Sequence, residues 1–273
     1  MRWTIERAFG IKGIALHSGE KTHVRVSSSR CGGITFRTTK GVVQAHPSHV
    51  VSTDHSTVLE HAGARIGTVE HLMAAAWCAG VDCLDVEVEG DELPILDGSA
   101  LPWLEALNAA GRTHCEDMLP VVLQKAVVVN LGNSKAIALP CDKFRLTVET
   151  RYAWPGVCSG TLQLPDKDMR QWAGHHLAPA RTFVPASQVD ALRQRGLAMG
   201  GSLENALVLD ASGNALNPEG MRFPDEPLRH KALDALGDLA LMGNLQADIA
   251  LLLPGHGLTT ALGMAVCRSA QAW

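Results

Sequence analysis

Apolar residues follow a helical period between Pro227 and Gly243. On a wheel that turns by about 100° per residue, they occupy one broad face and predict a helix packed against a core. Pro227 suits the first turn, where no amide donor is needed, and Gly243 suits the left-handed position after the last turn. The other face carries a narrow polar stripe of His230, Asp234 and Asp238. The apolar face comprises Leu228, Ala232, Ala235, Leu236, Leu239 and Met242.

The first half of the chain has the pattern of strands followed by helices. Short apolar runs alternate with glycine-bearing turns over residues 1–50, which is typical of antiparallel strands. A helix is predicted to begin at Thr68, as its N-cap, and to end at Gly80. Alternating residues then predict a strand over 84–90, and a short helix follows over 102–110.

The second half repeats this broad plan after a polar segment at 111–120. We interpret that segment as a boundary and predict two domains, at residues 1–115 and 121–273. Both halves place strands first and a helix with a polar face late, which is consistent with a distant duplication. Besides the helix after Pro227, strands are predicted at 121–130, 135–139, 144–150, 206–209 and 248–253, and helices at 186–195 and 258–272.

Composition narrows the class of protein. With 273 residues, 46% of them apolar and 19% charged, the chain can bury a full core. A net charge of −4 without a basic block argues against nucleic acid or an anionic membrane surface as a partner. No apolar run is long enough to span a membrane and residues 1–10 lack a signal core, so we expect a cytoplasmic protein. Seven scattered cysteines without a C-x-x-C pair indicate reduced thiols and no thiolate zinc site.

Two separate helices carry residues that suit a metal ion. His230 and Asp234 lie one turn apart and can reach a single divalent ion, although such pairs are also common on solvated helix faces. His71, in the first turn of the earlier helix, is a candidate third ligand or simply a partly buried polar residue, and catalytic zinc ions typically take three protein ligands. The adjacent Glu70 can take a proton from water beside the metal, or it can simply favour the helix dipole.

Two further histidines lie in glycine-rich, loop-like segments. His256 stands between two glycines, and Asp238 is placed to orient it, as carboxylates near metal sites do. A cationic His256 would suit stabilisation of an oxyanion or protonation of a leaving amine. His17 lies in GIALHSG at 13–19, where a hydrogen bond within the turn and an active-site role are the two alternatives.

Six segments, in the family's order, resemble the UDP-3-O-acyl-N-acetylglucosamine deacetylase family, the zinc amidohydrolases that commit Gram-negative bacteria to lipid A biosynthesis. The resemblance extends from Ile5 to the final helix. It implies an α+β fold of two similar domains, each a β-sheet layer packed on a helix layer, with the active site between them. The segments are TVEHL at 68–72, DGS at 97–99, ARTF at 180–183, RGL and GGS within 195–202, RHKALDALGD at 229–238 and GH at 255–256.

The resemblance also implies a role for each candidate residue. Zinc would be held by His71, His230 and Asp234, and these ligand types also accept iron(II). Glu70 would act as the general base on the attacking water. The N-acetyl group of UDP-3-O-acyl-N-acetylglucosamine would leave as acetate, which frees the amine. Oxyanion stabilisation would come from Thr182 and from His256 paired with Asp238.

Substrate-binding positions are implied in the same way. Phe183 and Lys231 would contact the substrate, with Lys231 facing the nucleotide diphosphate, and His17 is a further candidate contact. The segment at about 186–209 would form an insert whose apolar passage accepts the acyl chain. The lining of this passage would be Leu192, Leu197, Ala198, Met199, Leu203, Ala206 and Val208.

Three segments depart from the family pattern, at residues 52–57 (STDHST), 184–185 and 253–255. They leave the acyl-chain preference open. The sequence also leaves open whether Glu70 or His256 donates the proton to the departing amine. A deacetylase of another N-acylated sugar nucleotide and a non-catalytic sugar-nucleotide-binding homologue are the alternatives. Retention of Glu70 argues against the second, because a protein that only binds metal has no need of the base. We expect a monomer.

Overall fold

The first half of the chain forms a five-stranded sheet covered by two helices. The computed structural model describes all residues except 31, 117, 118, 153, 155, 156, 158 and 270–273. The helices are α1 (Glu70–Ala79) and α2 (Leu101–Ala110), and a short 3₁₀ turn spans Pro47–His49. The strands are β1 (Arg2–Ile5), β2 (Phe9–Ile14), β3 (Lys21–Ser28), β4 (Ile34–Thr38), β5 (Gly41–Gln44), β6 (Val50–Ser52), β7 (Val58–His61), β8 (Ala64–Ile66), β9 (Leu84–Glu89) and β10 (Arg112–Glu116).

The second half contains the same kinds of element with a larger insertion. Its helices are α3 (Met169–His176), α4 (Ala186–Gln194), α5 (Glu226–Ala240) and α6 (His256–Ser269). Its strands are β11 (Val121–Val122), β12 (Val127–Leu131), β13 (Ser134–Pro140), β14 (Arg145–Thr150), β15 (Gly160–Gln163), β16 (Phe183–Pro185), β17 (Leu207–Leu209) and β18 (Leu245–Leu252).

The two main sheets have the same topology. The strand orders are β2-β3-β9-β4-β5 and β12-β13-β18-β14-β15. In the first sheet β9 runs parallel to its neighbour β4, and in the second sheet β18 runs parallel to its neighbour β14. The other neighbouring pairs in these orders are antiparallel. Each half contains a late run of helix, strand and helix, α1-β9-α2 and α5-β18-α6, and in the first half β10 follows this run. The predicted fold class, two similar α+β units each with a sheet and a helix layer, is therefore confirmed.

The helix layers of the two halves meet each other. Helix α1 packs against α5, and most of the described buried apolar side chains of both halves form one continuous cluster, while Leu207 and Leu209 of β17 belong to a second, smaller one. Strands such as β3 and β9 alternate between buried and accessible residues because only one face of each sheet meets this core. The short strands β6–β8 are added to the first half, and α3, β16, α4 and β17 to the second.

Most element boundaries lie close to the predicted ones, with clear exceptions. Thr68 is not the N-cap of α1: Val69 holds that position, and the Thr68 hydroxyl donates instead to the buried Glu92 carboxylate at 2.9 Å. The strand predicted at 121–130 is divided into β11 and β12 because β11 pairs with β18 and β12 with β13. Helix α3 was not predicted, and the end expected for the last helix at 272 lies outside the described residues.

The segment interpreted as a domain boundary contains a strand. Strand β10, at its start, pairs with β1, and β11 begins at Val121. The domain limits 1–115 and 121–273 stay a prediction. Among the described helices, none combines the length and the apolar composition needed to cross a bilayer. The described cysteines are free thiols at positions 78, 83, 115, 141 and 267.

Candidate metal-binding active site

A glycine in the middle of α5 lets two helices touch at the centre of the molecule. A Cβ atom added at Gly237 would lie 2.1 Å from the backbone carbonyl oxygen of Glu70. Glycine is therefore required for this crossing, although it weakens the interior of a helix. The contact fixes the first turn of α1, with Glu70 and His71, opposite the polar stripe of α5.

Three buried side chains converge where the helices cross. The ligand atoms of His71, His230 and Asp234 all lie within 4.8 Å of one another. Asp234 Oδ1 is 3.3 Å from His230 Nε2 and 3.8 Å from His71 Nε2, and the two imidazole rings are perpendicular. Among the described residues, this is the one group of His, Cys, Asp or Glu side chains whose ligand atoms lie close enough to share a metal ion.

The protonation states of these residues suit a cation. Burial lowers the pKa of His71 to about 3 and also lowers that of His230, so both imidazoles are neutral and can donate a lone pair. His230 Nδ1 donates to the Ala180 carbonyl oxygen at 3.0 Å, which leaves Nε2 facing the cluster. Burial alone would raise the pKa of Asp234, but His230 and Lys231 more than offset it, and the carboxylate is ionised. The donor set therefore fits a divalent metal of the zinc type.

An acid and a base lie beside this cluster. Burial raises the pKa of Glu70 to about 7, although His256 opposes the shift. Burial would lower the pKa of His256, but Asp238, whose Oδ2 accepts from His256 Nδ1 at 2.9 Å, raises it to about 9. The free His256 Nε2 is 4.0 Å from both Glu70 Oε1 and Asp234 Oδ2. A carboxylate able to accept a proton and a cationic imidazole thus face the same space.

An apolar cavity of about 510 Å³ opens beside these groups. Thr182, Phe183 and Lys231 line it, and the Lys231 ammonium lies 5.8 Å from the centre of the Phe183 ring. Lys231 Nζ also donates to Asp234 Oδ2 at 3.0 Å. The cavity is further lined by His17, Leu192, Ala198, Leu203, Ala206 and Val208 from the sets singled out in the sequence.

Two residues of the expected passage lie elsewhere. Leu197 lines a neighbouring cavity of about 300 Å³, because the chain turns at Gly196 after α4. Met199 is half exposed and its amide donates to the His17 carbonyl oxygen at 3.1 Å. His17 lines both cavities, and its own amide donates to Glu92. Leu197 is thus separated from the 510 Å³ cavity that its neighbours line.

Several residues of the site escaped the sequence reasoning. Thr57 and Thr259 both donate to the Asp238 carboxylate, and Tyr152 and His55 line the apolar cavity. Two signals were available in the sequence. The unusual segment 52–57 contains both Thr57 and His55, and Gly237, inside the helix α5, indicates that another backbone approaches closely there. Nothing in the local sequence around Thr259 or Tyr152 points to the site.

The paired α+β fold, the buried cluster of three candidate ligands and the adjacent acid and base together point to the hydrolase class, with a candidate metal site. The family model described as UDP-3-O-acyl N-acetylglycosamine deacetylase matches residues 2–268. The chain belongs to this family.

Curated relatives agree with the family model. The chain is similar to a UDP-3-O-acyl-N-acetylglucosamine deacetylase of Phenylobacterium zucineum (strain HLK1), at 39% identity over 96% of this chain and 91% of the relative. Proteins with the same name from Myxococcus xanthus (strain DK1622) and Thermosynechococcus vestitus (strain NIES-2133 / IAM M-273 / BP-1) share 40% and 38% identity. These alignments cover 88% and 94% of this chain, and 77% and 90% of the relatives.

Proposed function

We propose that this protein is a zinc-dependent deacetylase that hydrolyses the N-acetyl group of UDP-3-O-acyl-N-acetylglucosamine. The products are acetate and the free amine, and the reaction is the committed step of lipid A biosynthesis in the cytoplasm of a Gram-negative bacterium. The observation that carries the proposal is the convergence of the three-ligand cluster, Glu70 and the His256–Asp238 pair at one end of an apolar cavity. The family and the names of its members supply the substrate.

His71, His230 and Asp234 are the residues that would hold the metal. Two neutral imidazoles and one carboxylate leave a coordination position for a reactant and suit zinc, and iron(II) accepts the same ligand types. When bound, such an ion supplies Lewis acidity at the amide carbonyl and makes a nearby water more acidic. Lys231 lies against the second oxygen of Asp234 and so helps to keep that carboxylate ionised.

The chain's own residues move the protons. Glu70, 3% exposed and with a pKa raised to about 7, accepts a proton from the attacking water. His256 is held protonated by Asp238 and presents Nε2 to the same space, where a positive charge stabilises the oxyanion of the tetrahedral intermediate. Thr182 adds a hydroxyl to the lining of the cavity on the side of Phe183.

The lining of the cavity combines apolar side chains with the cationic Lys231, a combination that supports an acylated sugar nucleotide as the substrate. Its lining from the insert is mostly apolar, with Leu192 on α4 and Val208 on β17, and this part would accept the acyl chain. The cationic Lys231 at its wall would face the diphosphate, with Phe183 and His17 as further substrate contacts.

The experiment is acetate release from the acylated UDP-sugar by the purified protein, together with metal analysis. Glu70→Gln should retain zinc and lose most turnover, because the amide cannot accept the proton. His230→Ala should lose the metal, whereas His175→Ala, on the exposed side of α3, should keep it. Full zinc occupancy without acetate release would refute the enzymatic function, and wild-type zinc affinity in His230→Ala would refute the ligand assignment.

A second candidate is the same reaction on a different N-acylated sugar nucleotide. The departure at residues 52–57 favours it, since His55 from that segment lines the cavity. Parallel assays with sugar nucleotides that lack the 3-O-acyl chain distinguish the two: the first proposal requires the chain for efficient turnover. Sedimentation of the same preparation tests the expected monomer.

A further inference from the structure

Thr57 contacts both the acid and the base of the site. It lies in the loop before β7, is completely buried, and donates its backbone N–H to Glu70 Oε2 at 3.1 Å. Its hydroxyl donates to Asp238 Oδ1 at 2.6 Å, and His256 Nδ1 is 3.2 Å from the Thr57 hydroxyl oxygen. One residue of the first half therefore touches Glu70 beside it and two residues of the second half.

The Asp238 carboxylate receives three short contacts. The Thr57 hydroxyl occupies Oδ1, while the Thr259 hydroxyl at 2.6 Å and His256 Nδ1 at 2.9 Å occupy Oδ2. Of these three donors, Thr57 alone comes from the first half of the chain. Thr259 and His256 both belong to α6, so they move with the same helix.

The relation between acid and base crosses the two halves. Glu70 is carried by α1 and His256 by α6, so small shifts between the halves change the distance from Glu70 Oε1 to His256 Nε2, which is 4.0 Å. We propose that Thr57 is a positioning residue that fixes the Glu70 carboxylate and the His256 imidazole relative to each other. This inference rests on the proposed deacetylation, in which those two groups exchange protons with the reactants.

The Thr57 hydroxyl can position these groups because it contacts both Asp238 and His256. It donates its proton to Asp238, and its lone pair faces His256 Nδ1, which carries the proton shared with Asp238. This arrangement keeps a proton on Nδ1, fixes the orientation of the imidazole ring and turns Nε2 toward the reacting groups. A methyl group of the same size can do neither, and it would leave Asp238 Oδ1 buried without this donor.

Two matched pairs of residues at position 57 isolate the hydroxyl. Thr and Val have nearly the same shape, with a hydroxyl in one and a methyl group in the other, and Ala is Ser without its hydroxyl. Thr57→Val and Thr57→Ala should lower kcat by about 10- to 100-fold, because the catalytic groups lose their alignment. KM and zinc content should stay within about threefold, since no ligand or cavity residue is changed, and Thr57→Ser should recover most of the kcat.

Thr4→Val is the matched control. Thr4 is also buried and donates its hydroxyl to the Cys83 carbonyl oxygen at 2.7 Å, away from the site. It should lose stability and keep its kcat. Equal kcat values within both matched pairs would overturn the proposal, as would a rise in KM with unchanged kcat. If Thr57→Val does not fold, the Ser and Ala pair alone decides.

A measurement without substrate separates this inference from the proposed function. In protein labelled with ¹⁵N-histidine, the downfield Nδ1 proton of His256 reports its hydrogen bond to Asp238. It should shift in Thr57→Val and not in Thr4→Val. If the wild-type protein releases no acetate and the resonance still shifts in Thr57→Val, the deacetylation is refuted and the hydrogen-bond network is retained. An unchanged resonance in Thr57→Val would refute the positioning role of Thr57.

Discussion

The contact at Gly237 predicts that a single methyl group disables the site. In Gly237→Ala the new Cβ would lie 2.1 Å from the Glu70 carbonyl oxygen and 2.8 Å from its carbon, whereas ordinary contacts begin at 3.4 Å. The helices must therefore separate locally by about 1 Å. This is slightly less than the difference between 3.4 and 2.1 Å, because neighbouring atoms also shift. Overpacking of this kind costs about 1–3 kcal/mol, while alanine gains about 1 kcal/mol of helix propensity. We expect a net loss of stability of at most about 2 kcal/mol.

The effect on the site should be larger than the effect on stability. Metal–ligand distances tolerate changes of only about 0.2 Å, and the separation moves His71 away from His230 and Asp234. We expect zinc affinity to fall by at least about tenfold, as when the support of a ligand is removed. With excess zinc present, kcat should still be about 100-fold lower, because Glu70 is displaced by about 1 Å.

The assay combines zinc titration with a competing chelator, acetate release and thermal unfolding. Gly174→Ala is the control: it also places alanine within a helix, and its Cβ would meet only the flexible end of Leu104 at 3.1 Å. That variant should keep its zinc affinity and kcat. Wild-type zinc affinity and kcat in Gly237→Ala would falsify the view that the helix crossing sets the site geometry.

Two further predictions concern pH and a buried ion pair. Activity should fall below a pKa near 7, where Glu70 becomes protonated, and above a pKa near 9, where His256 loses its proton. A bound cation lowers both values, so each limb lies at or below these figures, and His256→Gln should abolish the alkaline limb. Arg181→Met should lower the free energy of unfolding by about 3–5 kcal/mol in urea titrations, since it leaves the fully buried Glu226, 2.9 Å from Arg181 Nε, without its cationic partner. Arg65→Met breaks an exposed pair and should cost at most about 1 kcal/mol.

Each of these has a clear contrary result. An alkaline limb that persists in His256→Gln would assign that pKa to another group. A loss of stability in Arg181→Met no larger than that in Arg65→Met would show that Glu226 can be satisfied without the guanidinium.

Local sequence determined the helices that carry the site and the chemistry of their residues. In α5 the apolar period, Pro227 and Gly243 were sufficient to place the helix and its polar stripe, because each depends on neighbours within one or two turns. The same reasoning marked His71, His230 and Asp234 by ligand type. It misplaced the start of α1 at Thr68, since the buried Glu92, 24 residues away, takes that hydroxyl.

Tertiary structure alone decided what these elements face. A period of 3.6 residues shows which side of a helix is buried and not what it is buried against, so the pairing of α1 with α5 through Gly237 could not be deduced from it. The contact of Thr57 with Asp238 spans 181 residues, and the unusual segment at 52–57 does not reveal which residue Thr57 meets. Leu197 is separated from the apolar cavity by a turn that its apolar character does not reveal. The sequence by itself thus determined the candidate ligands and bases, and only the packing of the two halves determined which of them meet.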